Sequence, residues 1–276
     1  MFVLEEPCKS AGLLYFCTMP SLLLHEQGPI LTLTLNRPEK RNALSPDLIQ
    51  MLRDAIEQGM NASNIRAIII KSNGDTFCAG ADLGYLQTIR NNSFAENLED
   101  SLGLKKLFDA ILKGPKPVIA AVQGAALAGG CGLANACDIC FASPESQFGY
   151  TESKIGFIPA LVSIFLQRKI QGSIARELLI TGRIFHAEEA KSIGMVHHLV
   201  PAEDLDAHVL KFAEHLARTT SGQSIALTKE LLWNSSGMGL NEGMLLAAEM
   251  NARARAGEDC IKGIDAFLNK EKITWS

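Results

Sequence analysis

The chain has 276 residues, of which 47% are hydrophobic and 20% are charged, as is typical of a well-packed globular protein. The formal net charge is −4 and no basic block is present, which excludes nucleic acid as the main partner, because phosphate binding needs clustered lysine and arginine. The apolar stretch at 11–19 is too short to cross a bilayer and is not typical of a signal peptide, so no membrane partner is expected.

Seven cysteines are scattered along the chain, and several lie inside apolar runs. This usage predicts reduced, buried thiols and a cytoplasmic location. Cys137 and Cys140 form a lone C-x-x-C, but a zinc site would need a second pair of ligands. No metal site is therefore predicted.

The regular patterns begin near Leu22, so residues 1–18 are interpreted as an N-terminal extension. Alternating leucine and threonine at 31–35 predict a half-buried strand. Ser45-Pro46 is a typical helix start, since serine caps the helix and proline fits its first position. The apolar run at 67–70 predicts a strand buried on both faces, and it leads through a loop to the small-residue segment at 78–81.

The same order recurs further along the chain. A helical pattern at 98–112 precedes a buried strand at 118–122, a second small-residue segment at 124–132 and a strand at 139–142. Beyond residue 160 one short strand is predicted at 196–200, and the other patterns are helical: 160–169, 173–181, 186–192, 202–219, 223–235, 240–256 and 259–269. The predicted fold class is α/β to about residue 200, followed by a helical region at 201–276.

Both small-residue segments lead from a strand into a helix. The first N–H groups of a helix lack partners within it and attract anions, and small residues let a ligand oxygen reach the backbone. Two such donors could form an oxyanion hole for a thioester enolate. Close helix–strand packing explains the same residues without a ligand. A dinucleotide-binding loop is a third interpretation, but Gly130-Cys131-Gly132 lacks the third glycine.

Three groups of motifs in this order resemble the enoyl-CoA hydratase/isomerase (crotonase) superfamily. They are L-N-R-P-E-K-R-N-A-L at 35–44, F-C-A-G-A-D-L at 77–83, and P-V-I-A-A-V-Q-G at 117–124 with L-A-G-G-C at 127–131. The resemblance implies a spiral of ββα units over residues 19–200 and a helical trimerisation region at 201–276. It also implies an acyl-CoA thioester substrate, a homotrimer or dimer of trimers, and no cofactor beyond the coenzyme A of the substrate.

The resemblance also implies roles for individual residues. Ala79 and Gly129 would supply the two backbone N–H groups that hold the thioester oxygen. Phe267 and Lys270 would reach the CoA bound to a neighbouring subunit, although an ordinary amphipathic helix explains them equally well. The remaining residues expected to line the path of CoA and the acyl group are Arg37, Lys40, Arg41, Ala43, Ala81, Asp82, Leu83, Gly132 and Tyr150.

One departure from the family pattern bears on the reaction. Hydratases of the superfamily carry two catalytic glutamates; the second matches Glu152, but the first falls on Gly132, which has no acid–base chemistry. A single carboxylate suffices for a Δ3,Δ2-enoyl-CoA isomerase that shuttles a proton from C2 to C4. The stretch at 155–163 resembles instead a bacterial branch of hydratases, so we predict an enoyl-CoA hydratase-like enzyme. The isomerase and a non-catalytic acyl-CoA binding protein are the alternatives.

Overall fold

The strands of the computed structural model form two sheets, and the structure describes residues 17–19 and 21–275. The described strands are β1 (Cys17–Met19), β2 (Leu22–Gln27), β3 (Ile30–Leu35), β4 (Ala67–Ser72), β5 (Thr76–Cys78), β6 (Val118–Val122), β7 (Ala125–Leu127), β8 (Ile139–Ala142), β9 (Gln147–Gly149), β10 (Ile184–His186) and β11 (His198–Leu199).

The α-helices lie between and after these strands. In the described part of the chain they are α1 (Pro46–Asn61), α2 (Leu83–Ile89), α3 (Phe94–Lys113), α4 (Gly129–Ala136), α5 (Ala160–Lys169), α6 (Gly172–Thr181), α7 (Ala187–Ser192), α8 (Ala202–Thr219), α9 (Gly222–Asn234), α10 (Leu240–Arg255) and α11 (Glu258–Leu268). Short 3-10 turns occur at Pro38–Lys40 and Thr151–Ile155.

From β4 onward, one strand of each successive pair belongs to the larger sheet and the other to the smaller sheet. The seven-stranded sheet has the order β1-β2-β3-β4-β6-β8-β11, and the four-stranded sheet has the order β10-β9-β7-β5. Thus β4 and β5, β6 and β7, and β8 and β9 each contribute one strand to either sheet before the chain enters a helix. Neighbouring turns pair in parallel, which confirms the predicted spiral of ββα units.

The larger sheet is buried on both faces. One face packs Ile69, Ile119 and Phe141 against Leu205 and Val209 of α8. The other face belongs to the main core, together with the apolar sides of α1, α3 and α4. A strand covered on both sides has no need of polar residues, which explains the continuous apolar runs of β4 and β6.

Helix α1 begins where the sequence predicts. The Ser45 hydroxyl accepts a hydrogen bond from the Leu48 N–H, and Pro46 occupies the first helical position. Leu48, Leu52 and Ile56 are fully buried on one side of the helix. Helix α3 starts four residues before the predicted 98, because Ser93 and Glu96 form a capping box.

Two predicted boundaries change. The extension assigned to residues 1–18 lies outside the described residues except for its last two, which belong to β1 and pair antiparallel with β2. The strand predicted at 196–200 is shorter, since only His198–Leu199 pairs with β8. The boundary drawn at residue 200 between a core and a helical region stays a prediction.

Candidate functional site

The first small-residue segment follows β5 and is fixed by the loop that precedes α1. The Leu44 N–H donates to the Gly80 carbonyl at 2.7 Å, and the Asp82 N–H donates to the Leu44 carbonyl at 2.9 Å. The Ala79 N–H donates to the Arg41 carbonyl at 3.0 Å. The expectation that Ala79 offers a free N–H is therefore wrong, because that donor is already used within the protein.

Ala81 presents the donor that Ala79 does not. Within the described residues the Ala81 N–H makes no hydrogen bond, since the isolated bridge to Leu44 uses only the groups on either side of it. Ala81 is exposed, whereas Ala79 is partly covered. The sequence predicted Ala81 only as a residue that lines the CoA path. The hydrogen bond from the Ala79 N–H to the Arg41 carbonyl decides between the two alanines, and Arg41 lies far from them along the chain.

The second small-residue segment opens α4. Ala128 has a φ of 48° and a ψ of −124°, an uncommon conformation for a residue with a side chain. It is held there by its N–H, which donates to the Gly149 carbonyl at 2.7 Å. In the described chain the Gly129 N–H has no hydrogen-bond partner, as expected for the first residue of a helix.

The two segments touch each other. A Cβ built on Gly80 would lie 2.9 Å from the Ala128 Cβ and 3.7 Å from the Gly129 nitrogen. Gly80 also has a φ of +95°, which strains any other residue. Glycine is therefore required at position 80, both for the backbone turn and for the close approach of the two segments. Because of this approach, Ala81 lies beside the start of α4.

An ion pair that is mostly buried supports the first small-residue segment. The Arg37 guanidinium lies 2.7 Å from the Asp82 carboxylate, and the two side chains are 12% and 9% exposed. The second oxygen of Asp82 accepts from the N–H groups of Gly84 and Tyr85 at the start of α2. Burial alone would raise the pKa of Asp82, but Arg37 and these N–H groups together hold it below its ordinary value.

Arg37 therefore faces inward, although the sequence analysis expected it to line the CoA path. Its guanidinium also donates to the Ala43 carbonyl at 2.8 Å, and its charge is balanced by Asp82. Ala43 is buried. Lys40 and Arg41 remain exposed, with the Lys40 ammonium 3.9 Å from Asp82.

Gly132 lies one turn into α4 and is tightly covered. A Cβ at this position would lie 2.3 Å from Cγ1 of Val162 and 3.4 Å from Cζ of Phe108. Such a distance to Val162 is far inside van der Waals contact, so a larger side chain fits only if the Val162 side chain or α5 moves. The place where a first glutamate would begin is filled by apolar atoms.

Glu152 lies in the 3-10 turn that follows β9. Its Oε2 atom is buried and has no hydrogen-bond partner among the residues that the structure describes. Burial raises the pKa of the carboxyl above its ordinary value, and a hydrogen bond from its own backbone opposes this in part. A carboxyl of this kind is suited to proton transfer near neutral pH.

Comparison with known proteins agrees with these features. Residues 25–276 match the family model described as enoyl-CoA hydratase/isomerase. A Thermus thermophilus protein that carries an enoyl-CoA hydratase name is 42% identical over 245 residues, or 89% of this chain and 96% of that protein. Crotonyl-CoA hydratase of Syntrophomonas wolfei is 32% identical, with 92% and 97% covered. A Legionella pneumophila crystal structure described as a crotonase superposes with a TM-score of 0.84 at 37% identity, covering 92% and 98%.

The chain belongs to the enoyl-CoA hydratase/isomerase family. Its membership and its crotonase-like fold are both confirmed, and the names of its relatives favour a hydratase-like enzyme over the alternatives. Of the parts that carried the family resemblance, the two small-residue segments touch at Gly80, and the strand before Glu152 is bonded to Ala128.

Other predicted residues of this family member lie at its surface. Leu83 is exposed at the start of α2. Phe267, near the end of α11, is 82% exposed, and Lys270 follows the helix with a φ of 56°. Neither packs into the core of its own chain, so their expected contact with the CoA of a neighbour stays a prediction.

Of the five cysteines whose side chains the structure describes, four are buried. Cys78 adjoins the first small-residue segment, but burial raises its pKa to about 12. It is therefore a protonated thiol at neutral pH and a poor nucleophile. Across the described residues no helix is long and apolar enough to span a membrane, and no cluster of three or more potential metal ligands occurs.

Proposed function

We propose that this protein is an enoyl-CoA hydratase-like enzyme that adds water across the 2,3 double bond of an acyl-CoA thioester. The observation that carries the proposal is the pair of unused backbone N–H groups, of Ala81 and Gly129, on two segments that touch at Gly80. The names of the relatives, among them a crotonyl-CoA hydratase, support the substrate class.

In this proposal the Ala81 and Gly129 N–H groups donate to the thioester oxygen. Attack on C3 moves the electrons of the double bond through C2 onto that oxygen, which becomes an enolate. Donors that are fixed before the reaction stabilise the new charge without reorganisation, and loss of one such donor typically costs about 3–4 kcal/mol. Three backbone hydrogen bonds keep the first donor in place: the Arg41 carbonyl accepts from Ala79, Leu44 donates to Gly80, and Asp82 donates to Leu44.

Glu152 is the proposed acid and base. Its carboxylate takes a proton from water as the C3–O bond forms, and the protonated carboxyl then returns a proton to C2 of the enolate. The raised pKa serves both halves, because it strengthens the base and keeps the acid within reach near pH 7. No metal or redox cofactor is required by this reaction.

Recognition of CoA is proposed for the exposed cations beside the first segment. Lys40 lies at the surface 3.9 Å from Asp82, and Arg41 is exposed beside it in the chain, so both are placed to meet the phosphates. We also propose a homotrimer or dimer of trimers in the cytoplasm, with Phe267 and Lys270 completing a neighbour's CoA site. Exposed apolar residues on α10 and α11, among them Leu240, support contact between subunits.

The reaction is tested with crotonyl-CoA and a 3-enoyl-CoA, by absorbance of the conjugated thioester and by product mass. Hydration predicts loss of conjugation and a gain of about 18 Da, the mass of one water, on crotonyl-CoA. If crotonyl-CoA is inert while the 3-enoyl thioester gains conjugation at constant mass, the enzyme is an isomerase. If both are inert but bind, it is an acyl-CoA binding protein. Light scattering, with and without Leu240→Glu, tests the assembly.

A further inference from the structure

Two side-chain oxygens near the proposed reaction centre are buried without a partner. The Tyr150 side chain is 0% exposed. Among the described residues, Oε2 of Glu152 has no hydrogen-bond partner, and the Tyr150 hydroxyl has none with good geometry, since only the weakly bonding thiol of Cys131 lies close to it. Leaving a polar group buried and unpaired typically costs about 1–3 kcal/mol. Such a cost at two adjacent groups points to a ligand that pairs with both.

The local structure places Tyr150 against the start of α4. The preceding residue, Gly149, accepts the hydrogen bond of Ala128, so the end of β9 is tied to the second small-residue segment. The thiol of Cys131, in the first turn of α4, lies next to the Tyr150 hydroxyl. Glu152 follows two residues later in the same turn.

The phenol is neutral in this position. Burial is the main cause that raises the pKa of Tyr150 well above its ordinary value, and the neighbouring Cys131 and Glu152 raise it further. Burial likewise raises the pKa of Cys131 to about 12. The Tyr150 hydroxyl therefore retains its proton near pH 7 and can accept a hydrogen bond while it donates another.

The attacking water needs two acceptors. When its lone pair points at C3, its two hydrogens must point elsewhere, and Glu152 accepts only the one that it removes. Gly132 offers no acceptor, and Val162 and Phe108 fill the space beside it with apolar atoms. The Tyr150 hydroxyl is the nearby buried oxygen that has no oxygen or nitrogen partner among the described residues.

We propose that the Tyr150 hydroxyl holds the second hydrogen of the attacking water and so performs the orienting task of the glutamate that Gly132 replaces. This inference rests on the proposed hydration. The C3–O bond forms as one water O–H bond breaks, and that proton passes to Glu152. The electron pair of the double bond reaches the thioester oxygen, and the enolate then takes a proton from Glu152 at C2. Tyr150 keeps its own proton throughout.

The test separates water attack from proton transfer at C2. Hydration of crotonyl-CoA needs both, whereas exchange of the C2 hydrogen of butyryl-CoA in D2O needs only Glu152 and the N–H donors. Tyr150→Phe is expected to lower kcat for hydration about 10- to 100-fold. It should leave the rate of exchange within about twofold. Glu152→Gln should abolish both.

Two further variants guard against a general loss of structure. Ser146→Ala removes a buried hydroxyl that bonds to the Val122 carbonyl, so it should lower Tm without changing the ratio of hydration to exchange. Tyr150→Phe should lower Tm less than Ser146→Ala does, because among the described residues the hydroxyl it removes has only the weakly bonding Cys131 thiol beside it. If Tyr150→Phe does not fold, Tyr150→Met supplies the same comparison with a flexible apolar side chain.

The other outcomes are distinct. Unchanged hydration in Tyr150→Phe overturns the role of the hydroxyl and leaves the proposed hydratase intact. An equal fall of hydration and exchange in the folded variant also overturns it, since the hydroxyl would then act by shaping Glu152. If the unaltered protein exchanges the C2 hydrogen but does not hydrate crotonyl-CoA, the proposed function itself fails.

Discussion

The two positions at which the family's glutamates align have opposite surroundings. Position 132 is a glycine pressed against Val162, with no room for a Cβ. Position 152 carries a carboxyl whose buried oxygen has no hydrogen-bond partner in the described part of the chain. The difference teaches that the two positions offer different chemistry: apolar side chains crowd the glycine at 132, while burial raises the pKa of the carboxyl at 152. In the proposed reaction, acid–base chemistry therefore falls to position 152.

The largest effect is expected at the polar position. Glu152→Gln should lower kcat for hydration about 10³-fold, because it removes the proposed base without changing shape. In the unaltered protein kcat/KM should rise with pH through the pKa of Glu152, since the base must be deprotonated, and that rise should lie above the ordinary glutamate range. The measurement is a pH–rate profile.

Glu145→Gln is the matched control, as this carboxylate is exposed just before β9. It should keep the full rate and the same profile. An active Glu152→Gln protein would contradict the prediction, because it would mean that the carboxyl at position 152, like the one missing at position 132, is not used in the reaction.

A smaller effect is expected from the support of the first segment. Arg37→Met leaves Asp82 with only the more distant Lys40 ammonium, 3.9 Å away. It should lower the free energy of unfolding by about 2–3 kcal/mol, less than for a fully buried pair because this one lies at the molecular edge. Since the pKa of folded Asp82 is depressed, its contribution is present above the unfolded pKa and is lost as pH falls through the folded one. Urea unfolding at several pH values measures both.

The comparison variant is Asp82→Asn combined with Arg37→Met, which removes the orphaned charge and should recover part of the loss. A stability of Arg37→Met equal to that of the unaltered protein would refute the supporting role of the pair.

The apolar position gives the next effect. Gly132→Ala gains about 1 kcal/mol of helix propensity but should lose about 1–3 kcal/mol from overpacking against Val162, so Tm should fall. Adding Val162→Ala makes room and should remove the clash. Thermal unfolding of the single and double variants checks this.

Gly103→Ala provides the control, because a Cβ at Gly103 in α3 meets nothing within 4 Å. This variant should be stabilised by about 0.5–1 kcal/mol. If Gly132→Ala behaved in the same way, the crowding at position 132 would be disproved.

The smallest effect is expected outside both positions. Lys40→Ala should raise KM for crotonyl-CoA about two- to fivefold at low salt and less at high salt, because exposed charges are screened. The value of kcat should not change. A crotonyl thioester of pantetheine, which lacks the CoA phosphates, should show no difference between the two proteins; a difference would place Lys40 nearer the reaction.

Local patterns predicted the elements well. Helix α5 begins and ends at the predicted residues, as do α8 and β8, because apolar periodicity and capping residues act over a few positions. The Ala79 assignment failed because its N–H is used by Arg41, a contact between distant segments. The inward turn of Arg37 and the fit of Val162 over Gly132 were also invisible, since spacing along a chain does not report which side chains meet.

The touching of Gly80 and Ala128 has a consequence for how such a protein can diversify. The proposed anion-stabilising groups are main-chain atoms, and every amino acid except proline carries an N–H. Substitutions around them can therefore alter substrate and reaction while the shared enolate chemistry persists. Proteins with this architecture can therefore change their acidic and basic side chains, provided that the contact between the Gly80 and Ala128 segments is kept.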